Sequence, residues 1–516
     1  MFYLLLIPIS YLIFIASVQS PELITADLGR HITNGKFIVN ALANGLDLRT
    51  HTPLFTNFYS YTLPAQEAMN HHWLSGVVFH YLYEAFGFDG LELINIFCIL
   101  AANLIFFFAA QKYSNKNIAL LALIAFIPIT CVRVEVRPES FSYLFMATEF
   151  LLITLFLKQK ISKKLLFISI PLLQLIWINL HLFFIFGIFI ICAQLLSFIL
   201  SKDKENIKVF SQLLGLTIVT SLFNPAHILG VIEPLMIFKG YGYMIAENQS
   251  IFFMQKRFPN NPIDPYFEFL ILLTLVSTFF NYKKIKLQEW TLALIIIIPI
   301  TLAAFKTNRL MPVTAFYLIP FLASSIFHNV AGIRNELSKK TWDILIKISS
   351  IVLLIFFLYL YQFFFHRTID KYKYDPAMDN SANFILVNSV PAPIFNNFDI
   401  GGYFIFHLFP KYRPFVDNRP EAYQTEFFRD IYLPMLESED KWKKLSEALN
   451  LQTIYFMRHD ATEHAQPFLI RRLQDSFWAP VYVDKWTIIL VKRTDANQGL
   501  IKRYELPASM FKAVKT

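Results

Sequence analysis

Apolar runs on the scale of a bilayer crossing, which takes roughly 17–25 residues, recur along the chain. They fall at about 2–18, 91–111, 117–132, 140–157, 165–180, 182–200, 209–224, 265–281, 288–305, 310–328 and 342–364. The first ends in Ala16-Ser17-Val18-Gln19-Ser20 and resembles a signal peptide. It lacks a basic leader, so it is expected to be a retained anchor. Residues 72–88 are apolar too, but His71, His72, His80 and Glu84 suit an interface better than hydrocarbon, which predicts a helix lying on the membrane surface.

Lysines orient these segments. Lys112 and Lys116, then Lys158, Lys160, Lys163 and Lys164, then Lys202, Lys204 and Lys208 occupy alternate connections. Lys283, Lys284 and Lys286, then Arg334, Lys339 and Lys340, continue the series. The connections near 133–139, 180–182, 225–264 and 306–309 are lysine-poor. By the positive-inside rule the first set is cytoplasmic. About eleven spans then put residues 19–90 and everything after 365 outside a cytoplasmic (inner) membrane, in a multi-pass chain.

Two stretches break the apolar rhythm. In 19–90, Leu28, Ile32, Ile38 and Leu42 predict a helix over Asp27–Leu42, followed by irregular chain to Pro64. Beyond 366 the charge rises and apolar runs shorten. Phe384–Val387, Pro414–Val416 and Thr453–Phe456 read as strands, and Glu421–Glu437 and Ser438–Leu449 as helices. Val481–Val483 and Thr487–Val491 read as a hairpin about Asp484-Lys485. The expected organisation is a membrane domain over 1–365, with 19–90 as its first outer loop, and a soluble α/β domain over 366–516.

Composition supports this picture and excludes others. Of 516 residues, 55% are hydrophobic and 16% charged, and the mean hydropathy is +0.46, against about 25% charged in soluble domains. A soluble enzyme and a disordered chain are excluded. The net charge of +9 follows from the cytoplasmic lysines and implies membrane lipids rather than nucleic acid as partner. Cys98, Cys131 and Cys192 lie inside apolar runs with neither metal spacing nor a disulfide framework.

Polar chemistry gathers at the lysine-poor ends. Asp27 stands just past the first span beside Arg30 and His31, where it can serve as a general base or as a helix N-cap. Arg133, Glu135, Arg137 and Glu139 crowd one connection. Asn179 and His181, Asn224, Glu247, Lys306 and Arg309 fall on the same side. Cations and carboxylates on one face suit a phosphate-bearing substrate. Asp417 and Arg419, between a predicted strand and a helix, are expected to organise the C-terminal domain.

Several motifs carry a family resemblance. Asp27-Leu28-Gly29-Arg30-His31 with Asn34-Gly35-Lys36 resembles the Asp-x-x-x-His-x-x-x-Gly-Arg opening of bacterial multi-spanning proteins related to the GT-C glycosyltransferases. Phe58-Tyr59-Ser60-Tyr61-Thr62 is similar to their FSYT stretch and Asn70-His71-His72-Trp73-Leu74 to their HEWL. Arg137-Pro138-Glu139, Trp177-Ile178-Asn179-Leu180-His181 and Asn224-Pro225 follow in order. Phe395–Tyr403 and Val416-Asp417-Asn418-Arg419-Pro420-Glu421 complete the series. At two positions the pattern departs: Thr25 and His72 stand where relatives carry acids.

The resemblance implies a GT-C-like helical membrane protein with an extracytoplasmic C-terminal domain. It implies a polyprenyl-phosphate-linked sugar as donor and a glycan, lipid or protein as acceptor. Asp27 and His31 are then the expected catalytic residues. Arg30, His71, His72, Arg137, Glu139, His181, Glu247 and Arg309 are the expected substrate-binding residues. No cofactor is assigned, and a divalent cation is compatible although its ligands are unassigned. The competing functions are a non-catalytic envelope-polysaccharide assembly protein on the same scaffold and a transporter or flippase. Transporters tend to show internal repeats, which this sequence lacks.

Overall fold

The computed structural model describes residues 6–24, 27–64, 66–236, 241–331, 338–364 and 373–511. Thr25, Arg334 and the start of the expected C-terminal domain at 366–372 lie outside these residues. Each expected apolar segment coincides with a helix. In chain order the long helices are α1 (Leu6–Ser17), α2 (Leu28–Ala43), α3 (Trp73–Ala110), α4 (Lys116–Thr130), α5 (Glu139–Leu157) and α6 (Lys163–Leu180). They continue with α7 (Ile185–Ser201), α8 (Lys204–Ser221), α9 (Ile263–Phe279), α10 (Leu287–Lys306), α11 (Met311–Asn329) and α12 (Lys339–Phe364). Among the described residues, six helical segments are long and apolar enough to cross a membrane: Trp73–Ala110, Glu139–Leu157, Lys163–Leu180, Leu182–Ser201, Leu287–Lys306 and Asn308–Asn329. Leu6–Ser17, Lys116–Thr130 and Lys347–Phe356 are shorter apolar pieces.

The residues cluster into two compact units. One comprises Met1–Gln19, Leu91–Leu235 and Ile245–Tyr372; the other comprises Ser20–Gly90, Met236–Met244 and Lys373–Thr516. In the first unit, helix starts are closed by side chains at the lysine-bearing connections. Asn115 accepts from Asn117 and Ile118 N–H, Ser162 from Leu165 N–H, and Asp203 from Asn206 N–H. Lys158 reaches Glu289 at 3.1 Å. Between the helices, Phe106 packs on Phe150, Phe316 and Tyr317.

The second unit is built on a four-stranded sheet in the order β1-β2-β4-β3. The strands are β1 (Ile394–Asn396), β2 (Thr453–Met457), β3 (Trp478–Val483) and β4 (Thr487–Lys492). β1 and β2 are parallel, with Phe395 opposite Ile454, and the remaining pairs are antiparallel. Helices α13 (Asn380–Val387), α14 (Gly401–Leu408), α15 (Leu433–Glu437), α16 (Glu439–Ala448) and α17 (Ala465–Gln474) accompany it. Its core holds Phe395, Phe415, Phe428, Tyr432, Trp442, Phe456, Phe468 and Trp478. Ala68 belongs to the same core, and Tyr61, Leu63 and Tyr243 pack on it. Residues from the 19–90 segment are therefore built into the sheet-bearing unit.

Three local expectations change. Phe384–Val387 lies in helix α13 rather than a strand. Ser381, Ala382 and Ile385 are its buried residues, at helical spacing, while Val387 is 81% exposed. Among the described residues, Pro414–Val416 joins no strand ladder: Tyr61 N–H donates to Pro414 O at 3.3 Å, and side chains take the neighbouring backbone groups. Asn396 accepts Phe415 N–H (2.8 Å) and donates to Val416 O (2.7 Å); Ser60 and Thr62 donate to Phe415 O (3.1 and 2.8 Å). Glu421–Glu437 is not one α-helix. A single turn over Pro420–Ala422 is followed by a wide π turn at Phe427–Tyr432 and then α15. Pro434 has no N–H to give to the preceding turn, which accounts for the widening.

The segment expected on the membrane surface and the following span run together as α3, but Gly87 breaks them with φ 63° and ψ −155°. That conformation is open to glycine and strained for other residues. The Thr453–Phe456 strand, the Val481–Val483 and Thr487–Val491 hairpin and helix α16 fall where the sequence places them, as does α2.

Candidate functional site

The expected site residues form two polar clusters, one in each unit. In the sheet-bearing unit the scaffold is α2. A Cβ on Gly35 would fall 2.0 Å from Gly76 O, and one on Gly29 would fall 2.8 Å from Phe406 Cβ. Glycine thus lets α2 lie directly on α3 on one side and on α14 on the other. The first contact places His31 of α2 beside His72, with ring centroids 5.7 Å apart, and beside Phe79.

Asp27 sits at the N-cap position of α2, and its side chain makes no capping hydrogen bond. Its carboxylate instead faces Arg30, with Oδ2 and Nη2 3.4 Å apart. The guanidinium is 6% exposed and the carboxylate 28%, so the acid is the water-facing member of the pair. Arg30 Nε donates to Asn418 Oδ1 at 3.1 Å. Two residues of the same loop are tied to one another. Buried Asp417 accepts from Arg419 Nε (2.8 Å) and Nη2 (2.7 Å), and Arg419 also donates to Asn57 Oδ1 at 2.8 Å. Arg419 lies over the Tyr59 ring, and Tyr59 OH donates to Asn34 on α2 at 2.7 Å. Glu421, exposed, belongs to this neighbourhood. Arg30, Arg419 and His71 lie close enough to act on its charge. Sequence reasoning assigned no site role to Asn418 or Glu421. The signal available was the run of polar residues closing the Val416–Glu421 motif.

The second cluster belongs to the helical unit. Arg133 reaches Glu139 at 3.3 Å and Glu247 at 2.9 Å, and Arg137 reaches Glu247 at 2.6 Å and Glu135 at 3.1 Å. Arg309 pairs with Glu139. Asn308 N–H donates to Gln249 O at 2.9 Å, which ties the Arg309 turn to the segment bearing Glu247. Burial would raise the Glu247 carboxyl, but Arg133, Arg137 and Arg309 outweigh it and hold the group far below the usual carboxylate range. Burial likewise opposes charge on Arg133, and Glu247, Glu139 and Glu135 more than restore it. Arg309 also lies over Phe183, whose ring meets His181 edge-on at 4.5 Å. His181 is buried and its Nδ1 is 2.9 Å from Ser142 Oγ.

The structure therefore brings Asp27, Arg30, His31 and His72 together in one unit, and Arg137, Glu139, Glu247, Arg309 and His181 in the other. Among the described residues no group of three or more His, Cys, Asp or Glu side chains is arranged to hold a metal ion.

No family model and no curated protein matches the sequence. Solved structures do match. The oligosaccharyltransferase of Archaeoglobus fulgidus, tethered with an acceptor peptide, aligns with a TM-score of 0.61 and 14% identity, over 95% of this chain and 74% of that one. The same enzyme in complex with Zn and sulfate gives 0.53 and 12%, over 94% and 72%. ArnT from Cupriavidus metallidurans, bound to undecaprenyl phosphate, gives 0.53 and 11%, over 96% and 98%. Both proteins are GT-C glycosyltransferases. The chain has the GT-C fold. With this fold and its apolar helices, the chain is a multi-pass membrane protein carrying a small sheet domain toward its C-terminus.

Proposed function

We propose that this protein transfers a sugar from a polyprenyl-phosphate donor to an acceptor at the outer face of the cytoplasmic membrane. The observation that carries the proposal is the Asp27 carboxylate. It stands at the start of α2 without capping it, open to water and backed by a buried guanidinium. A residue kept only as a cap would spend its side chain on the helix N–H groups. Undecaprenyl phosphate in the ArnT structure and the acceptor peptide in the archaeal one support donor and acceptor classes of this kind.

In the proposed reaction Asp27 takes the proton of the acceptor hydroxyl as its oxygen bonds to the sugar C1. The bond from C1 to the lipid phosphate breaks, and polyprenyl phosphate leaves with the electron pair. Direct displacement inverts the anomeric centre. His31, against His72, is proposed to shape the floor beneath the acceptor, with His71 beside it. In the helical unit, Arg309 and Arg137 are proposed as cations able to bind a lipid phosphate. Glu139 and Glu247 hold those arginines in place until it binds. His181 supports Phe183 under Arg309.

Transfer of labelled sugar in proteoliposomes tests this reading. Asp27→Asn should abolish transfer while the protein stays folded; near-wild-type transfer would remove Asp27 from the mechanism and favour a non-catalytic scaffold. The proposed side of the C-terminal domain is tested separately. Alkaline phosphatase fused after Thr516 should be active and a fluorescent protein there dark; the reverse would overturn the orientation.

A further inference from the structure

We propose that Asn418 is a positioning residue for Asp27, holding Arg30 against the carboxylate so that the C-terminal part of the chain completes a site begun in the 20–90 segment. The proposal rests on the reading of Asp27 as the base, and it concerns how that base is held.

The loop carrying Asn418 is fixed from several directions. Asp417, fully buried, accepts from Arg419 N–H (3.1 Å), from both sides of the Arg419 guanidinium, and from Tyr423 OH (3.2 Å). Asp417 N–H in turn donates to Tyr423 OH at 2.9 Å. A buried ion pair contributes little net stability compared with apolar packing, but it permits few arrangements. The residue flanked by this pair is Asn418.

The backbone is held as firmly. A Cβ on Gly401 would fall 2.4 Å from Asp417 Cα, so the loop rests directly on the start of α14. The same helix packs on α2 through Gly29, next in sequence to Arg30. Asn418 and Arg30 are thus presented from two elements seated on one helix. Their contact, Arg30 Nε to Asn418 Oδ1 at 3.1 Å, follows from that frame. Arg419 adds a second tie through Asn57 and Tyr59 to Asn34 on α2.

A buried guanidinium orients by its acceptors, because each donor left unmet is costly. Asn418 satisfies Nε, and Nη2 then points to Asp27. Without the amide oxygen, the cheapest response is for Arg30 to turn toward another acceptor and leave the carboxylate unsupported.

The test uses the full-length protein. Asn418→Leu keeps the volume and removes the acceptor; Asn418→Asp keeps an oxygen for Nε–H. In proteoliposomes, the leucine variant should lose about 10²-fold in kcat, as misplacement of a reacting group does, with donor KM and melting temperature unchanged. The aspartate variant should recover most of kcat. Cryo-EM of the leucine variant should show Arg30 moved off Asp27. Wild-type kcat in the leucine variant, failure of aspartate to restore the rate, or Arg30 still seated on Asp27 would each overturn the proposal. Should leucine prevent folding, Asn418→Ala serves with the same readouts. The position of Arg30 is read without activity, so an active Asp27→Asn variant would sink the base reading alone.

Discussion

The two polar clusters draw on the same residue types and are completed differently. In the helical unit, Arg133, Arg137 and Arg309 face Glu135, Glu139 and Glu247, and every one of these side chains is in an ion pair. In the sheet-bearing unit the Arg30 guanidinium backs Asp27, with a neutral amide as its other acceptor, and the carboxylate remains open to water. The first arrangement is balanced and inward-looking, which suits holding an anion only by exchange with a carboxylate. The second leaves one acid with spare acceptor capacity, which suits taking up a proton. Identical chemistry therefore divides by how far the protein satisfies its own charges.

The largest effect that can break this comparison is at Asp27. Asn retains the volume, and no capping bond is lost because none is made. Asp27→Asn should therefore leave the melting temperature unchanged while transfer falls about 10²–10⁴-fold, the usual contribution of a general base. A variant that melts early but transfers at the normal rate would place Asp27 among structural residues and erase the contrast between the clusters.

The balanced cluster should respond the other way round. Glu139 is nearly fully buried between Arg133 and Arg309. Glu139→Leu leaves two cations facing one another without their shared carboxylate, and breaking a buried pair in this way costs about 3–5 kcal/mol. The expected result is a sharp fall in melting temperature and in folded yield after detergent extraction. Unchanged stability would mean that the arginines find other partners and that the balance is incidental.

How much of this was legible in the sequence depended on the range of the contacts. The membrane helices and α2 were readable because apolar periodicity is local. Asp27 with Arg30 was also readable, since three residues along a helix place two side chains side by side. Arg133 with Glu139 lay within one connection. Phe384–Val387 was misread because a four-residue apolar run fits strand and helix alike. Pro414–Val416 was misread because the partners of its backbone are Asn396, Ser60, Tyr61 and Thr62, three of them far away in sequence. Asn418 was invisible for the same reason. Its partner Arg30 lies 388 positions away, and no periodicity records such a contact.

The smallest expected effect sharpens the comparison from the balanced side. Glu247→Gln keeps the size and much of the hydrogen bonding toward Arg133 and Arg137 but removes one negative charge, so three arginines then face two carboxylates. If the cluster receives a lipid phosphate by exchange with a carboxylate, the variant should bind polyprenyl phosphate more tightly. About 1 kcal/mol for a partly exposed pair corresponds to roughly fivefold. The pH dependence checks that the charge is responsible. The folded protein holds Glu247 well below its unfolded value of about 4.3. Its stabilising contribution is therefore complete above that value and is lost as pH falls through the acid range. The difference in melting temperature between wild type and Glu247→Gln should accordingly be constant from neutral pH down to about 5.5 and shrink below it. Binding measured in nanodiscs with fluorescent polyprenyl phosphate decides the matter. Affinity that is unchanged or weaker would remove the arginine cluster from phosphate recognition and leave it as a brace between loops. Tighter binding with undiminished stability at low pH would show that Glu247 competes with the lipid phosphate for the same guanidinium groups.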